Sequence, residues 1–211
     1  MRIHNDLWGL DCGPAAHRLF IRQFHPGIYQ SFTLATAVIR TISSAMRTLA
    51  HLIATTGLVG HLKPAPGTWG ALAALPLAWV LHQIGGSAVL IFATILIFFI
   101  GIWATAQVTT GTTDHDPSHV VIDEVVGQWI ALWPVSIGLM HSGASALDLW
   151  PGWVAAFVLF RLFDITKPGP VGWADRRNDA IGVMLDDVIA GIFAALGVGV
   201  LAYLAHGVVG L

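Results

Sequence analysis

The sequence predicts an all-α, polytopic membrane protein: about five transmembrane helices, preceded by an N-terminal amphipathic helix lying in the membrane interface. Three observations carry that expectation. Of the 211 residues, 55% are hydrophobic and only 10% charged, with a mean hydropathy of +0.73, whereas a soluble domain is about 25% charged. Apolar runs of helical length recur from Ala71 onward, separated by short polar links. No lysine or arginine occurs between Pro64 and Phe160. With 10 basic against 12 acidic residues the chain is near neutral, so nothing in the balance points to nucleic acid. A lone cysteine, Cys12, excludes an internal disulfide framework and a zinc site built from several thiolates.

Residues 1–30 hold scattered charges and two prolines without a continuous apolar core, so they read as an N-terminal extension and not as a signal peptide. Residues 31–211 read as a single helical membrane domain. In its first part Arg40, Ser44, Arg47 and His51 share one helical face, largely opposite Val38, Ile42, Met46, Leu49 and Ile53. Two arginines in mid-span are costly in hydrocarbon, so this segment is expected in the interface, its basic stripe toward anionic headgroups, with a tilted span as the alternative.

The turn-rich HLKPAPGTWG (His61–Gly70) leads to an apolar run from Ala71 to Ile84. Gly85 and Gly86 form a tight break before Ala88–Ala106, whose uninterrupted apolar length matches a bilayer core of roughly 30 Å. A polar segment then precedes Val120–Met140, which carries Asp123 and Glu124 near its start and Pro134 inside. The fifth run is Trp153–Phe163. A long loop, DITKPGPVGWADRRNDAIGVML, precedes a last helix from Val188 to Val209, entered through Asp186 and Asp187.

The positive-inside rule puts Lys63 and the Lys167–Arg177 loop in the cytoplasm. Counting crossings from Lys63 brings every charge-rich segment to that same face: residues 63–68, 114–124, 161–179 and 186–187. Any one carboxylate near a helix start is explained by the macrodipole alone. The set is not. Asp123, Glu124, Asp186 and Asp187, with Asp116 in a neighbouring loop, converge near Arg161, Lys167, Arg176 and Arg177. Clustered acids repel at a low-dielectric surface unless a cation joins them, and a hard divalent ion such as Mg2+ takes carboxylates together with substrate phosphate oxygens. The basic groups then read as phosphate clamps, which points to chemistry on a phosphate-bearing lipid headgroup.

Several phosphatase-like patterns fail on inspection. CGPAAHR (Cys12–Arg18) has cysteine-phosphatase spacing but a poor anion-cradling loop. DHDPS (Asp114–Ser118) follows an apolar helix where a dehalogenase-type nucleophile would follow a buried strand. The ten histidines contain no HExxH, and His115 and His119 read as loop residues.

Three other segments agree with one family in order and spacing. PAPGTWGALAALP (Pro64–Pro76), HDPSHVVIDEVVGQWI (His115–Ile130) and FVLFRLFDITKPGPVGWADRRNDAIGVMLDDVIAGI (Phe157–Ile192) resemble the conserved elements of the phosphatidylglycerophosphatase A family. The resemblance implies a small bacterial inner-membrane enzyme, multi-pass and facing the cytoplasm. It would use Mg2+ to remove the terminal phosphate of phosphatidylglycerophosphate, giving phosphatidylglycerol in phospholipid biosynthesis. Asp116, Asp123, Glu124, Arg161, Asp164, Lys167, Asp175, Arg176, Asp186 and Asp187 stand at its matching polar positions. This chain departs at Asp179 and Ala180, where the family often has paired glycines, and at His119, a variable position.

The mechanism so implied is in-line attack by a metal-activated water. Asp123, Asp186 and Asp187 are expected on the metal side, with Glu124 as ligand or general base. Arg161, Lys167 and Arg176 are expected on the phosphates, and Asp164 as the group that orients Arg161. Thr68 would offer a hydroxyl at a helix start, or simply cap it. An aspartyl-phosphate route stays open. Among other classes, a CDP-alcohol-type headgroup transferase lacks its DG-x2-AR pattern here. A small transporter would place ionisable groups at mid-bilayer, where the clearest spans are bare.

Overall fold

In the computed structural model, residues 26–112, 114, 116–145 and 148–207 are described. Most of the N-terminal extension, Cys12, Arg18 and His115 lie outside them. The described chain is helical, without strands: α1 (Pro26–Ala54), a 3-10 turn (Val59–His61), α2 (Pro66–Thr109), α3 (Ile122–Ser142), α4 (Trp150–Thr166), α5 (Pro170–Asp175) and α6 (Ala180–Gly207). By its internal contacts the chain divides into residues 1–46 and Arg47–Leu211. In the first unit, Leu34, Val38, Ile39, Ile42 and Met46 of α1 are exposed.

In the second unit, α2 and α6 contain stretches long and apolar enough to cross a membrane, Pro66–Thr109 and Ala180–Ala205. As one rod α2 would be about 66 Å long. It is instead folded at the glycine pair, where Gly86 takes a left-handed φ of 66° open to glycine at little cost. Side-chain contacts to α3 show the reversal. Along the first arm the Trp129 indole N–H donates to the Ala74 carbonyl at 2.9 Å, His82 meets Ser136 at 2.7 Å, and the Ser87 hydroxyl donates to the Met140 sulfur at 3.1 Å. The second arm then runs back along α3. The Trp133 indole N–H donates to the Thr94 hydroxyl, and Gly101 packs against Met184 and Ile122.

The central helix is α3. Thirteen of its 21 residues are buried, although it is not among the stretches apolar and long enough to qualify as spans. Gly127 admits the Phe160 ring on one side and the α6 backbone on the other. A Cβ there would lie 2.6 Å from the Asp187 carbonyl oxygen, and one at Gly191 only 3.0 Å from the Gly127 Cα. Such backbone approach is how apolar helices associate where hydrophobic burial gives no gain. Gly127→Val should therefore cost about 1–3 kcal/mol by overpacking, read as a lowered thermal midpoint in detergent. Around this centre the outward residues are apolar: Phe92, Ile95 and Phe99 on α2, Val154, Val158 and Leu162 on α4, Leu196, Val200 and Leu204 on α6. Contiguous exposed apolar surface on this scale marks a surface facing lipid or a partner.

Two differences from the sequence expectation bear on the site. α6 starts at Ala180, not Val188, because the Asp179 carboxylate accepts from the Gly182 N–H at 2.6 Å, a side-chain N-cap. Asp186 and Asp187 are therefore a turn or more inside the helix, beyond simple terminal compensation. Within the stretch expected as a long loop, Pro170 opens the short helix α5 at its first position.

Candidate active site

α3 runs antiparallel to α4, since Gly152 packs on Val135 and Phe160 on Gly127, and parallel to α6. One end of the bundle thus collects the starts of α2, α3 and α6 with the end of α4. Val121 sets the start of α3: its N–H donates to the Ala54 carbonyl at 2.8 Å and its side chain packs on Gly70. That anchoring leaves Asp123 and Glu124 in the first turn. At the other side α4 ends on Lys167, whose φ of 45° is left-handed. A lysine there gives up the steric ease of glycine, but its side chain reaches Asp186 in α6.

The result is a cleft of about 290 Å³. Its acidic wall is Asp123, Glu124, Asp186 and Asp187, its basic wall Arg161 and Lys167, and Asp116 and Asp164 complete the charged lining. Asp175 joins through Lys167. Thr68 and Arg176, expected on the substrate side, are not among the lining residues. Ala65, Pro66, Gly67, Ser118, Val120 and Ile165 are.

The four central acids divide into two groups by geometry. Asp123, Glu124 and Asp187 each present a carboxylate oxygen such that all lie within 4.8 Å of one another. Asp186 instead accepts from the Lys167 ammonium at 2.8 Å, while Lys167 also donates to Asp175. Burial opposes charging of Lys167, but the hydrogen bonds to Asp175 and Asp186 outweigh it, raise its pKa and keep it cationic. Arg161 pairs with Asp164 across one helical turn.

Three buried carboxylates so close repel one another unless protons or a cation intervene. Glu124 Oε2 is buried without a hydrogen-bond partner, and so is Arg161 Nε. Buried polar atoms are normally satisfied, and these two belong to residues that line the same cleft. An acceptor and a donor left open, beside an all-oxygen donor set, fit a hard divalent cation and a phosphate oxygen respectively.

Gly67 contributes through what it lacks. A Cβ there would run into the Glu124 carboxylate and lie 3.2 Å from Arg161 Nη1. The PGT segment carries that signal, but in sequence the hydroxyl of Thr68 draws attention first. Ser118 has no periodicity to mark it. His51, placed by its spacing on the basic stripe of α1, in fact meets His61 and His119.

Comparison with known proteins comes to the same segments. The family model for phosphatidylglycerophosphatase A (PgpA) matches residues 52–202. A Haemophilus influenzae protein named phosphatidylglycerophosphatase A is 36% identical over 154 residues, covering 72% of this chain and 88% of its own. The Escherichia coli protein of that name is 35% identical over 159 residues, 74% of this chain and 83% of its own. A Bacteroides thetaiotaomicron protein carrying the provisional name phosphatidylinositol-3-phosphatase is 38% identical over 151 residues, 69% and 89% of the two chains. No solved structure matches.

Proposed function

The chain belongs to the phosphatidylglycerophosphatase A family, and from that premise we propose that it hydrolyses the terminal phosphomonoester of phosphatidylglycerophosphate with Mg2+, supplying phosphatidylglycerol to phospholipid biosynthesis. The observation that carries this reading is the open acid trio of Asp123, Glu124 and Asp187, set against Arg161 and Lys167 in one cleft. Mg2+ held by the trio would neutralise phosphate charge and lower the pKa of a water.

The protein's own groups do the remaining work. Arg161, its guanidinium fixed by Asp164, lines the cleft as a donor for phosphate oxygens. Lys167 adds a second, permanently charged donor. Glu124 would give one carboxylate oxygen to the ion and keep the other as general base, taking the proton as the water oxygen bonds to phosphorus. The phosphorus–ester oxygen bond breaks in line with that attack, the released alkoxide takes a proton from solvent water, and Glu124 returns its own proton to solvent before the next turnover. Asp186 and Asp175 hold Lys167 in place, and Asp116 and Ser118 close the outer side.

The same reading sets the protein in a bacterial inner membrane. The two arms of α2, then α3, α4 and α6, are five crossings, with the cleft at the cytoplasmic end that the lysine and arginine distribution selects, and α1 lies in the interface.

The test is phosphate release by purified protein from phosphatidylglycerophosphate. Release should stop on chelation and return with Mg2+; activity indifferent to chelation would overturn the metal assignment. Phosphatidylinositol 3-phosphate should be the poorer substrate. Its faster hydrolysis would overturn the headgroup assignment while leaving the reaction class intact.

A further inference from the structure

Three imidazoles meet outside the cleft, brought from three separate segments. His51 lies near the end of α1, His61 closes the 3-10 turn, and His119 sits in the loop before α3. The Nε2 atoms of His51 and His61 are 3.1 Å apart. Ring centroids are 5.3 Å apart for His51 and His61, 5.6 Å for His51 and His119, and 5.4 Å for His61 and His119. We propose that His51, His61 and His119 form a second metal site, taking a borderline divalent transition ion such as Zn2+, distinct from the carboxylate site and independent of the reading given to it.

The spacing is the first argument. With Zn–N bonds of about 2.05 Å in tetrahedral geometry, ligating nitrogens lie about 3.3 Å apart and ring centroids about 5.2 Å apart. The His51–His61 nitrogen distance and all three centroid distances fall close to these values. The nitrogens are not yet all gathered: the acid trio is the one set among the described residues whose ligand atoms already lie within 4.8 Å of one another. The His61 and His119 rings stack nearly parallel, at 12°, so shared ligation requires His119 to turn about its χ2, a broad torsion for histidine.

The second argument is the scaffold. The Val121 N–H donates to Ala54, the Thr55 carbonyl accepts from the Gly60 N–H at 3.0 Å, and the His119 carbonyl packs where a side chain on Gly60 would be. Backbone ties thus fix all three segments before any ligand arrives, which limits the ordering entropy that binding must offset. The third is chemistry. Neutral imidazole is a ligand for zinc and its neighbours, while hard Mg2+ prefers carboxylate oxygen, so the two sites select different ions. His61 is exposed, giving an ion a way in. Binding would clamp to α1 the loop that carries Asp116 and Ser118 to the cleft.

The experiment uses the untagged full-length chain in detergent with saturating Mg2+, titrated with Co2+ as spectroscopic probe. One equivalent should bind with the visible absorption of a low-coordinate, nitrogen-ligated ion. His61→Ala and His119→Ala should each weaken that binding by more than about 100-fold, since loss of even an outer-shell partner costs 10–100-fold. Asp187→Asn should leave it unchanged. Should either alanine variant fail to elute as folded protein, His61→Gln and His119→Gln replace it. Binding undisturbed by loss of either histidine, or abolished by Asp187→Asn, would overturn the site, as would no Co2+ binding at all.

Discussion

Asp123→Asn and Asp187→Asn are each expected to reduce phosphate release by about 10³-fold or more, equivalent to about 4 kcal/mol of transition-state stabilisation. Each substitution keeps the shape of the side chain and removes one anionic oxygen from the set of three proposed to hold the ion. Asp187 is 2% and Asp123 7% exposed, so neither has solvent to make good the loss. The sign on stability is opposite to that on activity. Without metal, three clustered carboxylates repel, and neutralising one relieves that repulsion, so each variant should melt no lower than the parent in chelator. With Mg2+ the parent alone should gain thermal stability, because a ligand that binds only the folded state stabilises by mass action. Asp186→Asn should do less, about 10-fold, because its oxygen serves Lys167 and not the trio. Parental rates in both Asp123→Asn and Asp187→Asn, or a Mg2+-dependent rise in melting that survives both, would sink the assignment.

That grading of the acids could not have been read from the chain. The convergence of charge at one end was legible, because charge is excluded from apolar spans and the positive residues have one permitted side. The fold at Gly85 and Gly86 was legible too, since two adjacent glycines between apolar runs are a local signal. What separates Asp186 from Asp187 is tertiary. Gly127 and Gly191 let α3 and α6 approach closely enough to put Asp187 beside Asp123, and the left-handed turn at Lys167 carries an ammonium to Asp186. The early start of α6 was missed for a local reason. Arg176, Arg177 and Asn178 look like loop, and the value of Asp179 as a cap shows only once Gly182 is known to follow it in helix. The burial of α3 was likewise hidden, because a helix apolar on most sides does not declare whether lipid or protein surrounds it.

Gly67→Ala should lower kcat by about 10²-fold while leaving the protein at least as stable, and this pairing of effects makes it informative. Gly67 stands in the first turn of α2, and within a helix alanine is favoured over glycine by up to about 1 kcal/mol. Propensity alone therefore predicts a neutral or stabilising change. The cleft predicts the reverse for function, because the added methyl occupies space held by the Glu124 carboxylate and presses on Arg161 Nη1. Glu124 must turn away, taking a ligand oxygen from the trio, and a displacement near 1 Å in such a site costs on the order of 10²-fold. Shortening the acid restores room: Gly67→Ala combined with Glu124→Asp should be more active than Gly67→Ala alone, although Glu124→Asp by itself lowers the rate. Such sign reversal in a double-mutant cycle arises between groups in contact. An alanine variant with parental kcat, or a double variant worse than the product of the two single losses, would show that Glu124 and Gly67 do not share the space the structure gives them.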